Sequence, residues 1–154
     1  MKVKKYFYQL VSPIRRLYWF IFRPKTTGVK CLILHQEKVL MIRNSYGIGH
    51  WTLPGGKIKR KELPKLAVKR EINEEVGINL HDVVDIGQYF NIKEYKQDTV
   101  HCFFARINSF EFKIDSSEIR EANWADLKNL PDFQSSAVRK VLNLAKQKGL
   151  LPEN

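Results

Sequence analysis

Three glutamates, Glu71, Glu74 and Glu75, stand at i, i+3 and i+4 along the chain. On a helix that spacing brings the three carboxylates to one face, one above the other. Like charges so placed repel by roughly 0.2–0.5 kcal/mol a pair, so the pattern costs stability unless something cationic sits among them. Side chains that offer only oxygen select a hard cation such as Mg2+ or Mn2+. Mg2+ in particular is held by a few carboxylates, several waters and the phosphates of a substrate.

The element that must position these carboxylates is legible around them. Pro64 suits a first helical position, where its missing N–H costs nothing, and Gly77 supplies a stop, so the pattern predicts a helix over residues 64–76. Val68, Ile72 and Val76 recur every four residues as an apolar stripe beside the acidic one, with Lys65 and Lys69 at its margin. One face packs while its neighbour binds. Ahead of the helix, Pro54, Gly55 and Gly56 form a turn in which glycine lets a ligand or another backbone come close.

Taken at fixed spacing, the run is Gly56, five residues, Glu62, seven residues, Arg70-Glu71-Ile72, one residue, Glu74-Glu75, one residue, Gly77-Ile78. It resembles the Nudix box, the signature of the Nudix hydrolases, at every fixed position of that motif. The resemblance implies an α+β fold in which a mixed β-sheet is sandwiched between helices as α/β/α layers. It also implies Mg2+-dependent hydrolysis, with Mn2+ as the alternative, of a nucleoside diphosphate linked to another group X. Carried over by position, Glu71, Glu74 and Glu75 go to the metal and Arg70 to orienting Glu71. Glu62 would support Arg70 and the loop of Gly55 and Gly56. One position departs from the common form: Leu63 stands at the helix N-cap, where loss of a polar cap typically costs about 1 kcal/mol.

A further glutamate ahead of an aromatic strand is common in the family, and Glu118, six residues before Trp124, is similar in placement. It is expected to complete the metal site or to take a proton from the attacking water. Glu121, a glutamate of the helix and a merely solvated loop charge are the alternatives. Arg43 and Trp51 are candidates for substrate contact, with a core position the alternative for Trp51.

At 154 residues with 44% hydrophobic composition, the chain is long enough for one domain with a proper core and too short for two comfortable ones. Residues 28–34 and 38–43 read as a hairpin around Gln36, and residues 51–53 as an aromatic strand. Residues 83–90 and 99–107 read as strands joined by a polar loop over 91–98, residues 110–114 as a short strand, and Ser135 or Ser136 as the cap of a last helix. Cys31 and Cys102 sit in separate apolar runs without zinc spacing and are expected to be reduced core residues.

The net charge of +11 suggests nucleic acid until it is located: residues 1–30 carry eight Lys and Arg and no acid. Residues 1–25 therefore read as a basic, aromatic extension with an amphipathic helix, ahead of a Nudix domain over 26–154. Its longest apolar run, residues 17–22, is far short of the roughly 20 residues that span a bilayer. The expectation is a cytoplasmic protein that retains this segment. The segment has three readings: peripheral contact at the inner membrane surface, contact with RNA, or packing on its own domain or a second subunit in a homodimer. RNA 5′-pyrophosphohydrolysis, or a catalytically idle module that binds through this helix, are the alternative functions.

Overall fold

The computed structural model describes residues 25–93 and 96–152, without the side chains of residues 92, 93 and 96. The helix expected within residues 1–25 lies outside the described residues, apart from Lys25, which opens the first strand. The order is β1 (Lys25–His35), β2 (Lys38–Asn44), α1 (Pro64–Val76), β3 (Val84–Lys93), β4 (Lys96–Arg106), β5 (Ile119–Asp126) and α2 (Ser136–Gln147). The strands lie side by side as β3-β4-β1-β2-β5. β1 and β4 run parallel and the other neighbours antiparallel, which makes the sheet mixed.

Strand periodicity builds the layers. Cys31 and Ile33 of β1 face one core with Leu40, Ile42 and Phe103, and that core is closed by Ala67, Val68, Ile72 and Val76 of α1. Leu32 and Leu34 face the other with Val39, Met41 and Cys102, closed by Val138, Val141 and Ala145 of α2. The two cysteines are buried and free, on opposite sides of the sheet. The result is the expected helix, sheet, helix sandwich. Among the described residues no helix is long and apolar enough to cross a membrane.

Three local expectations are corrected. Residues 91–93 and 96–98 are not a loop: β3 and β4 pair there as far as Lys93 opposite Lys96. The largely polar sequence there hides a ladder that needs only backbone groups, which β1 continues on the other side by pairing Lys25 with Gln97. Residues 51–53 make isolated bridges only, Thr52 to Ile42 and Trp51 to Gln134, before the backbone turns away. Residues 110–114 form no strand, because the amides of Lys113 and Asp115 bond the helix carbonyls of Val76 at 2.9 Å and Glu75 at 3.0 Å. That contact satisfies the end of α1 and places the approach to β5 beside the carboxylate helix.

Candidate active site

α1 begins without a side-chain cap at Leu63 and ends on Gly77 at φ 67°. Its three glutamates are not equivalent. Glu74 is exposed, Glu71 half-buried, and Glu75 only 5% exposed at the margin of the apolar stripe. Glu75 Oε2 accepts the Gly55 N–H at 2.7 Å. Desolvation raises its pKa to about 7, the charges of Glu71 and Glu118 push the same way, and Lys30 and the Gly55 N–H oppose them.

The loop that meets Glu75 is held against β1. Val29 N–H donates to Gly56 O at 2.9 Å and Cys31 N–H to Pro54 O at 3.0 Å, so the N-terminal part of β1 uses its free edge on the loop. Gly55 stands at φ 130°, and a Cβ there would lie 2.3 Å from Val29 O. At Gly56 a Cβ would lie 2.2 Å from Glu71 Oε2, so the Glu71 carboxylate occupies the space a side chain would need. Glycine at both positions brings two carboxylates onto backbone.

Arg70 organises the outer half of the cluster. Its Nε and Nη2 donate to the two oxygens of Glu62, each at 2.8 Å, and Nη1 donates to Glu71 at 2.8 Å and Glu74 at 2.9 Å. Nη2 also reaches Lys57 O at 3.0 Å. The fork holds Glu62 down to a pKa of about 2, first through the Arg70 hydrogen bonds and then through the Lys59 N–H. Lysine has no such planar fork. Arg70→Lys is therefore expected to lower turnover about 10- to 100-fold, the usual effect of losing a group that orients metal ligands, while the chain still folds. Steady-state rates beside a thermal melt check this, and an unchanged rate would remove Arg70 from the site.

The donor set fits a hard divalent ion: it offers oxygen only and concentrates negative charge in a partly desolvated place. Among the described residues no three His, Cys, Asp or Glu side chains form a ready-made cage. Arg70 engages one oxygen each of Glu71 and Glu74 and the Gly55 N–H one of Glu75, leaving Glu71 Oε2, Glu74 Oε1 and Glu75 Oε1 without one of these bonds. Substrate oxygens and water would fill the remaining positions of such an ion.

Glu118 is exposed just before β5, its carbonyl accepting from Ser45 N–H at 2.8 Å. Its charge acts on both Glu75 and Tyr46, which sets it within the cluster's field. Glu121 instead lies opposite Arg43 in the β2–β5 ladder and pairs with it at 3.1 Å. Arg43 also donates to Gly49 O at 2.7 Å and lies over the half-buried Trp51 ring at 5.6 Å. These contacts hold the 45–50 loop.

Two residues at the site are new. Lys30 donates to Leu53 O at 2.6 Å and Gly55 O at 3.0 Å, and burial lowers its pKa against the pull of Glu75 and Glu71. The phenol pKa of Tyr46 is raised, by desolvation first and then by Glu75, Glu118 and Glu71. Both line a cleft of about 340 Å3 on the α2 side of the sheet, with Asn44, Tyr89, Asn91 and Lys140. No carboxylate among the described residues lines it. A lone lysine inside the apolar run of β1 was the sequence signal for Lys30.

The NUDIX domain family model matches residues 24–144, most of the chain and all of this site. The chain belongs to the Nudix hydrolase family. Among curated relatives of this Nudix hydrolase, an RNA pyrophosphohydrolase of Zymomonas mobilis is 25% identical over 76% of this chain and 92% of its own. An 8-oxo-dGTP diphosphatase of Buchnera aphidicola is 27% identical over 66% of this chain and 78% of its own. Among solved structures, a MutT Nudix hydrolase from Burkholderia pseudomallei superposes with a TM-score of 0.73 at 26% identity, over 79% of this chain and 98% of that one. The Nudix hydrolase described here is thus a pyrophosphohydrolase acting on diphosphate bonds, and enzymes of its family use divalent metal ions.

Proposed function

We propose that the substrate is a nucleoside diphosphate carrying a further group X, with Mg2+ or Mn2+ held by Glu71, Glu74 and Glu75. The observation that carries this reading is the position of Lys30 and Tyr46, which belong both to the carboxylate cluster's field and to the neighbouring cleft. A diphosphate at the carboxylates places its organic part in that cleft, whose size suits a small molecule. Tyr89 and Tyr46 offer rings for stacking, and Asn44 and Asn91 offer amides for hydrogen bonds. Asn44 Oδ1 is buried without a partner, so a donor on the substrate would satisfy it.

The ion would neutralise charge on the non-bridging oxygens and acidify a water. The residues of the chain do the positioning. Gly55 N–H fixes Glu75, Arg70 fixes Glu71 and Glu74, and Lys30 ties the loop to β1. Glu118, exposed at the edge of the cluster, accepts the proton of the attacking water. Positioning and electrostatics supply most of the acceleration in phosphoryl transfer.

The test is metal-dependent product release from nucleotide sugars, dinucleoside polyphosphates, nucleoside triphosphates and 5′-triphosphate RNA, with Mg2+ and Mn2+ compared. Glu118→Gln is expected to lower kcat about 10²-fold or more, the range of a general base, while Glu121→Gln changes it little. Equal losses in the two variants would reject Glu118 as the base. A second reading, RNA 5′-pyrophosphohydrolysis, draws on the basic residues 1–25 and the named RNA relative. It predicts that triphosphate RNA is the best substrate and that its turnover falls steeply with salt.

A further inference from the structure

A second cleft, of about 410 Å3, lies at the other end of α2. Leu34 in its floor is four residues along β1 from Lys30, roughly 13 Å by the strand rise, so the clefts are separate. The floor is aliphatic: Leu34, Leu127, Leu130, Leu142 and Leu151. No aromatic side chain among the described residues lines it. The rim is basic, with Arg106, Lys128, Arg139 and Lys146 against the single acid Glu37.

Among the described residues, most of those charges are not consumed locally. Glu37 meets Lys128 at 3.6 Å. Arg139 and Lys146, seven residues apart and so on one side of α2, pair with no acid among the described residues. Gln134, in the same wall, buries its Oε1 without a hydrogen-bond partner. Leaving such an acceptor unsatisfied costs about 1–3 kcal/mol; a donor such as a water relieves it, so the anionic head belongs at the cations and not at Gln134.

The combination selects among occupants. Among the described residues a nucleotide finds no ring to stack on. Residues 1–25 bring seven cations and no acid, a charge that does not complement a basic rim. An aliphatic chain with an anionic head satisfies both floor and rim.

We propose that this cleft binds a small anionic amphiphile, a free single-chain alkyl carboxylate, with the chain on the leucines and the head between Arg139 and Lys146. It is independent of the catalytic reading. The test uses the full chain and titrates decanoate, decanol and decyltrimethylammonium below their micelle concentrations, read by calorimetry and by backbone amide shifts. Decanoate is expected to bind saturably, about tenfold or more tighter than the cationic amphiphile, with the shifts in the C-terminal half of α2. The double variant Arg139→Gln/Lys146→Gln should melt like the parent, keep its diphosphate turnover and bind decanoate about tenfold more weakly. Equal affinity for the two charges, no saturable binding, or unchanged affinity in the double variant overturns the proposal. Binding seen with anionic vesicles alone also overturns it, and assigns the face to a lipid surface.

Discussion

Glu75→Gln is expected to remove turnover, by about 10³-fold, while making the metal-free protein more stable at alkaline pH. The two effects share one cause. Glu75 is 5% exposed, and burial lifts its pKa from 4.5 to about 7 in the folded chain. Between those values the folded state holds a proton that the unfolded state has released, so stability falls as pH rises. The favourable contribution is complete below the unfolded value and gone above about pH 7. An ionised Glu75 at about pH 8 thus costs roughly 3 kcal/mol. Glutamine keeps the shape and removes the charge. The difference between variant and parent should be near zero at about pH 4 and grow to that size by about pH 8. Divalent metal reverses the comparison, since an ion that binds the folded parent stabilises it by mass action and the variant has lost a ligand. Melts across pH with and without Mg2+, beside initial rates, measure all of this. Parallel melting of the two metal-free proteins across the whole range would mean that Glu75 is not held as described. An undiminished rate would take it out of the chemistry.

The residues of this cluster were legible because their relation is local. Glu71, Glu74 and Glu75 are placed by helical spacing, and Arg70 reaches Glu62 across eight residues of loop and helix. The α1 and α2 stripes and the β1–β2 hairpin are legible for the same reason, since periodicity reports which side is buried. What sequence pattern missed depends on contacts between distant segments. Lys30 is fixed by carbonyls 23 and 25 residues away, and residues 110–114 by the end of a helix in an earlier part of the chain. The far end of the β3–β4 hairpin carries no apolar alternation, because it is held by backbone pairing with β1. Ser135 shows the limit of a local rule. It stands at the N-cap of α2, yet its hydroxyl donates to Thr52 Oγ1 at 3.0 Å instead of capping the helix.

Gly55 and Gly56 are adjacent, and alanine at each is expected to fail differently. At Gly55 the new Cβ would lie 2.3 Å from Val29 O and 2.9 Å from Lys30 Cα, with φ at 130°. Both neighbours are backbone of a central strand and cannot give way, and an L residue is strained at that φ wherever space exists. The loop must leave β1, taking with it the bonds to Val29 and Cys31 and the N–H that holds Glu75. A loss of about 3 kcal/mol or more follows, near 10 °C in Tm for a chain of this length, and turnover goes with it. Gly56→Ala meets the Glu71 carboxylate at 2.2 Å, which is the end of a flexible side chain. That carboxylate can swing away with little effect on folding, about 1 kcal/mol or less. In doing so it breaks its 2.8 Å bond to Arg70 and leaves the position proposed for the metal, so turnover should fall about 10- to 100-fold in a protein that still melts near the parent temperature. Thermal melts and rates on the two variants separate the roles. If Gly56→Ala kept the parent's rate, the place of Glu71 at the reacting diphosphate would be refuted, whereas an unfolded Gly56→Ala would show that the loop, not the carboxylate, is what glycine protects there.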